Sequence, residues 1–309
     1  MDWSAKQLRT VVAVAERSNI SHAAVQLDLT QPTVSRILSQ VEQELGTALF
    51  IRDSSGVTPT ESGTRFAEQA NELLRQMTEL TDEMRSQDGE LVGKICVAMP
   101  DTTGHTLFIP LIDYMAAEHP EVQLRVMASH PNSIVSALTS GDADVGVVSS
   151  AHRQKAVATT PLATEDLHLV GPGPGRGSSG RTVSLAEVAT KPLVLPAIQP
   201  GLRELIDVAF AQRQLRPEVV LEVDAEDAIV ELISSGRAYS IMSMAGVQRF
   251  VASGYLSSRR IIDPPIQRLL STALPENRPV TRLMRAVEQT IHHLADELSG
   301  QAKWDVWKQ

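Results

Sequence analysis

Along the first third of the chain, apolar residues recur at helical spacing in short blocks parted by polar breaks. Ala23, Ala24 and Leu27 mark one short helix with Ser21 as its cap candidate, and after the break Asp28-Leu29-Thr30 the residues Val34, Leu38, Val41 and Leu45 mark a second. Two short helices joined so tightly form a helix-turn-helix, a device for entering DNA. Thr30 is placed to accept hydrogen bonds from free amides of the second helix, and Pro32 suits a first turn, where no partner carbonyl exists. The outward residues Gln31, Thr33, Ser35, Arg36, Ser39 and Gln40 are donors and acceptors suited to base edges and phosphates. After Leu49-Phe50, two short extended runs flank a Ser-Ser-Gly turn, which reads as a wing carrying Arg52 beside a phosphate. An ordinary helical hairpin presents the same short pattern, so continuity of the match decides its meaning.

Between Thr60 and Ser86 the residues Phe66, Ala70, Leu73, Met77, Leu80 and Met84 are spaced alternately four and three apart. This is an a/d stripe. Either the helix packs on its own chain or it pairs with a second copy. Little N-terminal domain is left to cover so long a stripe, so a homodimer is expected. Its two recognition helices would face successive major grooves of a pseudo-palindromic site in double-stranded promoter DNA.

From Leu91 the texture changes to strands alternating with helices. Strands are expected at Lys94 to Met99, Val122 to Ala128 and Ala143 to Val148, with helices at Thr106 to Glu118 and Ser133 to Thr139. A second set includes Leu167 to Val170, Leu193 to Leu195, Arg203 to Gln212, Val219 to Val223, Ala225 to Ser234 and Tyr239 to Met242. The chain returns through Arg268 to Ala273 and closes with a helix near Thr281 to Leu298. These sets predict a mostly parallel sheet in each of two α/β lobes with a cleft between them. Small molecules bind such sheets at the carboxyl ends of the strands, beside helix N-termini. Candidate effector-binding residues there are Asp101, Thr102, Thr103, Ser129, His130, Ser149, Gln199 and Asp224. Asp101 either caps the following helix or faces the cleft, where it would disfavour an anionic effector and favour a cationic or polyhydroxyl one.

The runs Leu8 to Glu16, Ser21-x-Ala23-Ala24, Leu29-Thr30-Gln31-Pro32-x-Val34-Ser35-Arg36, Glu42-x-Glu44-Leu45-Gly46, Leu49-Phe50-x-Arg52 and Thr58 to Gly63 resemble the LysR-type transcriptional regulators. The resemblance implies that Gln31, Pro32, Ser35 and Arg36 lie in the major groove, that Ser21 contacts backbone and that Arg52 is the wing contact. Ile37 and Ser39 depart from the pattern; Ile37 either touches a thymine methyl or is buried against the first helix. Thr102 matches the hydroxyl residue that helps hold effector. Pro192 to Pro196, Pro200 to Arg203, Glu222 to Ala225 and Arg260 to Pro265 are similar to the nitrogen-assimilation-control branch. The implied architecture is α/β with an α-rich winged helix-turn-helix (1–59), a dimerization helix and hinge (60–90), and a two-lobed effector domain resembling periplasmic binding proteins (91–309). Lobe I covers about 91–162 and 268–309, and lobe II about 163–267. The resemblance further implies a dimer of dimers, with RNA polymerase among the partners.

With 309 residues, 42% of them hydrophobic, the chain is long enough for two or three cores. The net charge of -9 argues against coating nucleic acid by charge alone. Residues 1–59 hold Lys6, Arg9, Arg17, Arg36 and Arg52 against Asp2, Glu16, Asp28, Glu42, Glu44 and Asp53, so specificity must come from placement and from two copies. No apolar run approaches the roughly 20 residues of a membrane span, and Met1 leads into an amphipathic helix without a secretory core, so a cytoplasmic location is expected. The sole cysteine, Cys96, reads as a buried strand residue. The glycine-rich run 171–180 lacks a phosphate-cradle ending and reads as a loop, and adjacent His292 and His293 point to different faces of a helix. Trp304 and Trp307 either dock on their own lobe or form an oligomer patch. No nucleophile elbow, metal set or paired-carboxylate motif is found, so a regulator without cofactor or metal is expected, not an enzyme.

Overall fold

The computed structural model describes residues 3–53, 56–85, 90–149, 156–173, 181–197, 201–301, 304 and 306–307. The chain divides into two compact units, Met1–Glu90 and Leu91–Gln309.

In the first unit, α1 (Ala5–Arg17) opens with a capping box: the Ser4 hydroxyl accepts from the Gln7 amide, and the Gln7 side chain accepts from the Ser4 amide. Helix α2 (Ile20–Gln26) starts at Asn19, whose Oδ1 accepts from the His22 amide at 3.0 Å. The cap is thus two residues earlier than expected, because buried Ile20 must already be helical; Ser21 is an exposed first-turn residue. At the break Asp28 takes a left-handed φ of 52°, and the Leu29 amide returns to the Ala24 carbonyl at 2.9 Å. Helix α3 (Gln31–Leu45) begins at Thr30, which makes no side-chain cap. Pro32 removes one of the amides a cap would bind, and the Thr30 hydroxyl instead pairs with the Thr33 hydroxyl at 2.8 Å. Val34, Leu38 and Val41 bury one face of α3 against Ala23 of α2 and Val11 and Val14 of α1.

The wing is the antiparallel hairpin β1 (Phe50–Asp53) and β2 (Gly56–Pro59), with Arg52 opposite Val57; its expected turn at Ser54-Ser55 lies outside the described residues. Glu42 Oε1 accepts from the amides of Leu49 and Phe50 at 2.8 and 3.1 Å, which fixes the base of the wing to α3. Helix α4 (Glu61–Arg85) starts where the Thr60 hydroxyl donates to the Ala48 carbonyl and accepts from the Gly63 amide. The first turns of α4 bury Ala67 and Ala70 and set Phe66 against the Trp3 ring, with centroids 4.6 Å apart.

The second unit runs β3 (Gly93–Met99), α5 (Asp101–Glu118), β4 (Val122–Ala128), α6 (Pro131–Ser140), β5 (Val145–Ser149) and the long β6 (Val157–Pro172). There follow β7 (Thr182–Ser184), α7 (Leu185–Val188), β8 (Pro192–Leu195), α8 (Leu202–Gln212), β9 (Glu218–Glu222), α9 (Glu226–Ser234), β10 (Ser240–Ser243) and α10 (Met244–Ala252). The chain ends in β11 (Leu256–Ile262), β12 (Gln267–Pro275), α11 (Arg282–Gly300) and β13 (Val306–Trp307). The sheet order is β4-β3-β5-β12-β6-β11-β7, with β10 and β13 also on β6. It is mixed, which corrects the mostly parallel expectation: β12 lies antiparallel to both β5 and β6, and β6 lies antiparallel to β10 and β11. The first ten residues of β6 pair with β12, and the remainder turns to β10 and β11, so one strand serves both lobes.

One lobe packs Val97, Leu107, Leu111, Leu270 and Ile291 around Trp304, which therefore docks on its own lobe; the Trp307 side chain lies outside the described residues. The other packs Leu167, Leu193, Phe210, Ile241 and Ile261. Cys96 is buried in β3, and burial pushes its thiol up, the opposite of a reactive thiolate. His292 meets Thr272 and His293 meets Tyr114, so the two histidines serve separate surroundings.

At the base of α4, a Cβ on Gly63 would sit 1.9 Å from the Leu49 carbonyl oxygen. Alanine there gains about 1 kcal/mol of helix propensity, but the obstacle is backbone and cannot rotate away. Gly63→Ala should therefore destabilise the first unit by about 1–3 kcal/mol, read as a lower unfolding midpoint; an unchanged or higher midpoint would contradict this packing.

Candidate DNA-binding face and effector cleft

The face of α3 opposite the core is polar and open. Gln31, Pro32, Arg36, Ser39 and Gln40 are exposed, while Thr33 and Ser35 are half-buried beside them. Ile37 is 6% exposed, so it takes the core option and the thymine contact is set aside. Arg36 makes no ion pair among the described residues. At 1.5 Å per residue, the helix is roughly 22 Å long. Arg52 is exposed on β1 and Ser21 on α2.

Farther along the same unit, α4 leaves its own core. Beyond buried Ala70, the side chains of Leu73, Met77, Leu80 and Met84 are 51%, 53%, 61% and 55% exposed. Phe66 and Ala70 are thus used within the chain, and the last four members of the stripe are left uncovered by it.

In the second unit, α5 begins at Asp101, five residues earlier than expected, with Pro100 preceding it and no side-chain cap. Asp101 is therefore a first-turn residue and not the cap; its carboxylate lines a cavity of about 390 Å³ between the lobes. Proline at position 100 fixes a φ of -59° for entry into the helix but offers no side-chain acceptor to the first-turn amides. Thr102 also lines the cavity, and its Oγ1 accepts from Arg268 Nη2 at 3.4 Å. Thr103 is 1% exposed beneath this wall and does not line it. Ser129 and His130 line the cavity at the end of β4; Ser149, the last residue of β5, does not. Gln199 lies outside the described residues. Asp224 lines the opposite wall, where its Oδ1 accepts from the Ala197 amide at 3.0 Å.

Further groups line the cavity: Arg203, Glu226 and Ser243 lie in strand-end loops that the sequence marks without singling them out, and Arg268 and Ser240 lie outside those loops. Arg203 follows Gly201 at the start of α8 and is held by Asp207, by Glu222 at 2.8 Å and by the Pro196 carbonyl at 2.7 Å. Arg268 forms a buried ion pair with Glu165, its partner across the β6–β12 ladder. Glu226, in the first turn of α9, is raised above the usual carboxylate range, first by burial and then by the neighbouring charges of Asp101 and Asp227. A Cβ on Gly246 of α10 would meet Glu226 Oε1 at 2.9 Å and Thr102 Cγ2 at 3.0 Å, so a glycine is what admits both. Ser240 and Ser243 line the floor, 1% and 3% exposed, each with a hydroxyl that has no partner among the described residues. Ser243 carried the sequence signal of a carboxyl strand end, and Ser240, at the start of β10, carried none.

Residues 5–64 match the family described as bacterial regulatory helix-turn-helix protein, lysR family, and residues 88–296 match the LysR substrate binding domain. The nitrogen assimilation regulatory protein nac of Klebsiella aerogenes is 26% identical over 297 residues, covering 95% of this chain and 96% of that protein. The regulator BbuR of Bordetella bronchiseptica is 26% identical over 294 residues, covering 95% and 90%. The fold is that of full-length CbnR complexed with its target DNA, with a TM-score of 0.71 at 22% identity over 96% of this chain and 99% of that one. A full-length OxyR from Pseudomonas aeruginosa gives a TM-score of 0.74 at 20% identity, over 96% and 95%. With a helix-turn-helix in the first unit, a substrate-binding domain in the second and regulators as relatives, the chain belongs to the LysR family of transcriptional regulators and is not an enzyme.

Proposed function

We propose that this regulator binds a pseudo-palindromic promoter site as a homodimer, reading bases with α3 and gripping phosphate with Arg52 of the wing. The observation that carries the reading is the division of α3: Val34, Leu38 and Val41 are fully buried, while Gln31, Arg36, Ser39 and Gln40 stand free. An exposed guanidinium suits the O6 and N7 acceptors of guanine, and the amides suit adenine. Ser21, Thr30, Gln31, Pro32, Thr33 and Ser35 frame it as backbone and groove contacts.

Residues 1–59 form the DNA-binding domain in this reading, 60–90 the dimerization helix and hinge, and 91–309 the effector domain. Leu73, Met77, Leu80 and Met84 meet the same stripe of a second copy, which removes an exposed apolar row from water. The cavity holds a small effector, which acts through its different affinity for alternative arrangements of a dimer of dimers. RNA polymerase is the further partner through which such a change is read. A cytoplasmic location goes with this role; among the described residues no helix is long and apolar enough to cross a membrane.

Arg36→Ala should weaken binding to the specific site by about 5- to 150-fold, since a bidentate base contact is worth about 1–3 kcal/mol. Fluorescence anisotropy against specific and scrambled duplexes checks this; full retention of selectivity would overturn the site. Leu80→Glu, placing charge in the apolar row, should shift the protein from dimer to monomer in sedimentation equilibrium, and a persisting dimer would show that the interface lies elsewhere.

A further inference from the structure

The charged groups on the walls of the cleft are mostly acidic or already paired. Of the six acidic and basic residues that line it among the described residues, three are carboxylates, Asp101, Asp224 and Glu226, and the others are His130 and two arginines. The two arginines are already committed. Arg203 is shared by Asp207 and Glu222, and Arg268 is paired with Glu165. A carboxylate ligand would therefore find no unengaged guanidinium on these walls.

Asp101 and Glu226 form no hydrogen bond or ion pair among the described residues; Asp101 and Asp227 act on Glu226 against the opposing charges of Arg249 and Arg268, and burial with the two carboxylates outweighs them. Asp101 is exposed at the mouth of the cleft and Glu226 is half-buried beside it, so the pair presents negative charge that a cation entering the cleft would meet. The N-termini of α5, α8 and α9 would ordinarily attract an anion. Each carries acidic residues in its own first turn, namely Asp101, Glu204, and Glu226 with Asp227. Their dipoles are thus offset from within.

Independent of the carboxylates, the hydroxyls of Ser240 and Ser243 are buried on the cavity floor and unpartnered among the described residues. Buried hydroxyls left in that state are rare and costly, and a ligand with polar groups satisfies them. Beside them Leu202, Ile229 and Met242 supply an apolar surface for a short carbon body.

We infer that the effector of this regulator is a small organic amine, its protonated nitrogen held between Asp101 and Glu226 and its polar groups hydrogen-bonded to Ser240 and Ser243. The inference rests on the cleft being the effector site.

Isothermal titration of the full-length protein with putrescine and ethanolamine, and with succinate as the matched anion, tests it. Saturable binding of at least one amine is expected, with no heat from succinate. Asp101→Asn and Glu226→Gln should each weaken amine binding at least about tenfold. Glu226→Gln should at the same time raise the unfolding temperature of the ligand-free protein, because it removes a charge that partial burial and the neighbouring Asp101 and Asp227 disfavour; this readout shows that the variant folds. Succinate binding abolished by Ser243→Leu, with no amine binding, would overturn the amine assignment while leaving the cleft as the effector site. Amine binding unaffected by Ser243→Leu, Asp101→Asn and Glu226→Gln would overturn both, since the ligand would then sit elsewhere. Absence of binding by both amines at millimolar concentration would also overturn the amine assignment.

Discussion

The pairing of β6 with β12 is the constraint on which the effector domain depends. Strand β6 changes partners midway, from β12 to β10 and β11. At the change stand Glu165 and Arg268, directly opposite each other and 2% and 7% exposed. Either charge alone at such a depth would cost several kcal/mol, so each is kept there by the other. Arg268 then reaches Thr102 in the first turn of α5, which joins the crossing point to the cavity wall. The guanidinium best placed to greet an anionic effector is thereby occupied by the fold itself, and the balance of charge in the cleft is left to Asp101, Asp224 and Glu226.

The DNA-binding unit rests on a comparable economy of contacts. One face of α3 is fixed by the core, and Glu42 ties the opposite end of the helix to the start of the wing through two backbone amides. The close approach of α4 at Gly63 continues the same fixed path from α3 through the wing into the long helix. With as few cations as this unit has, orientation matters more than total charge: the phosphate grip and base readout depend on a handful of groups held at set positions.

Much of this was legible in the chain because periodicity reports burial. The stripe of Val34, Leu38 and Val41 marked α3, and the alternation of apolar runs with helices placed most strands of the second unit within a few residues. Other features left no periodic trace. The first half of β6, VATTP, contains Pro161 and a run of threonines, and the ladder absorbs them with an irregularity opposite Leu270 and Ser271. Helix starts were read late: α2 is capped at Asn19 and not at Ser21, and α5 begins after Pro100 and not at Thr106. In the cleft, Asp101, Thr102, Ser129, His130 and Asp224 could be placed from strand ends alone. Arg203 and Glu226 fall in strand-end loops but were not singled out there, and Arg268 is set at the wall by its pairing with Glu165 across the sheet, which no local pattern encodes.

The most direct measurement is an unbiased selection of genomic DNA fragments by the full-length protein at physiological salt. The account predicts enrichment of an imperfect inverted repeat with half-sites about one helical turn apart, as two copies of α3 in successive major grooves require. Uniform recovery of fragments by a folded, dimeric protein would contradict it.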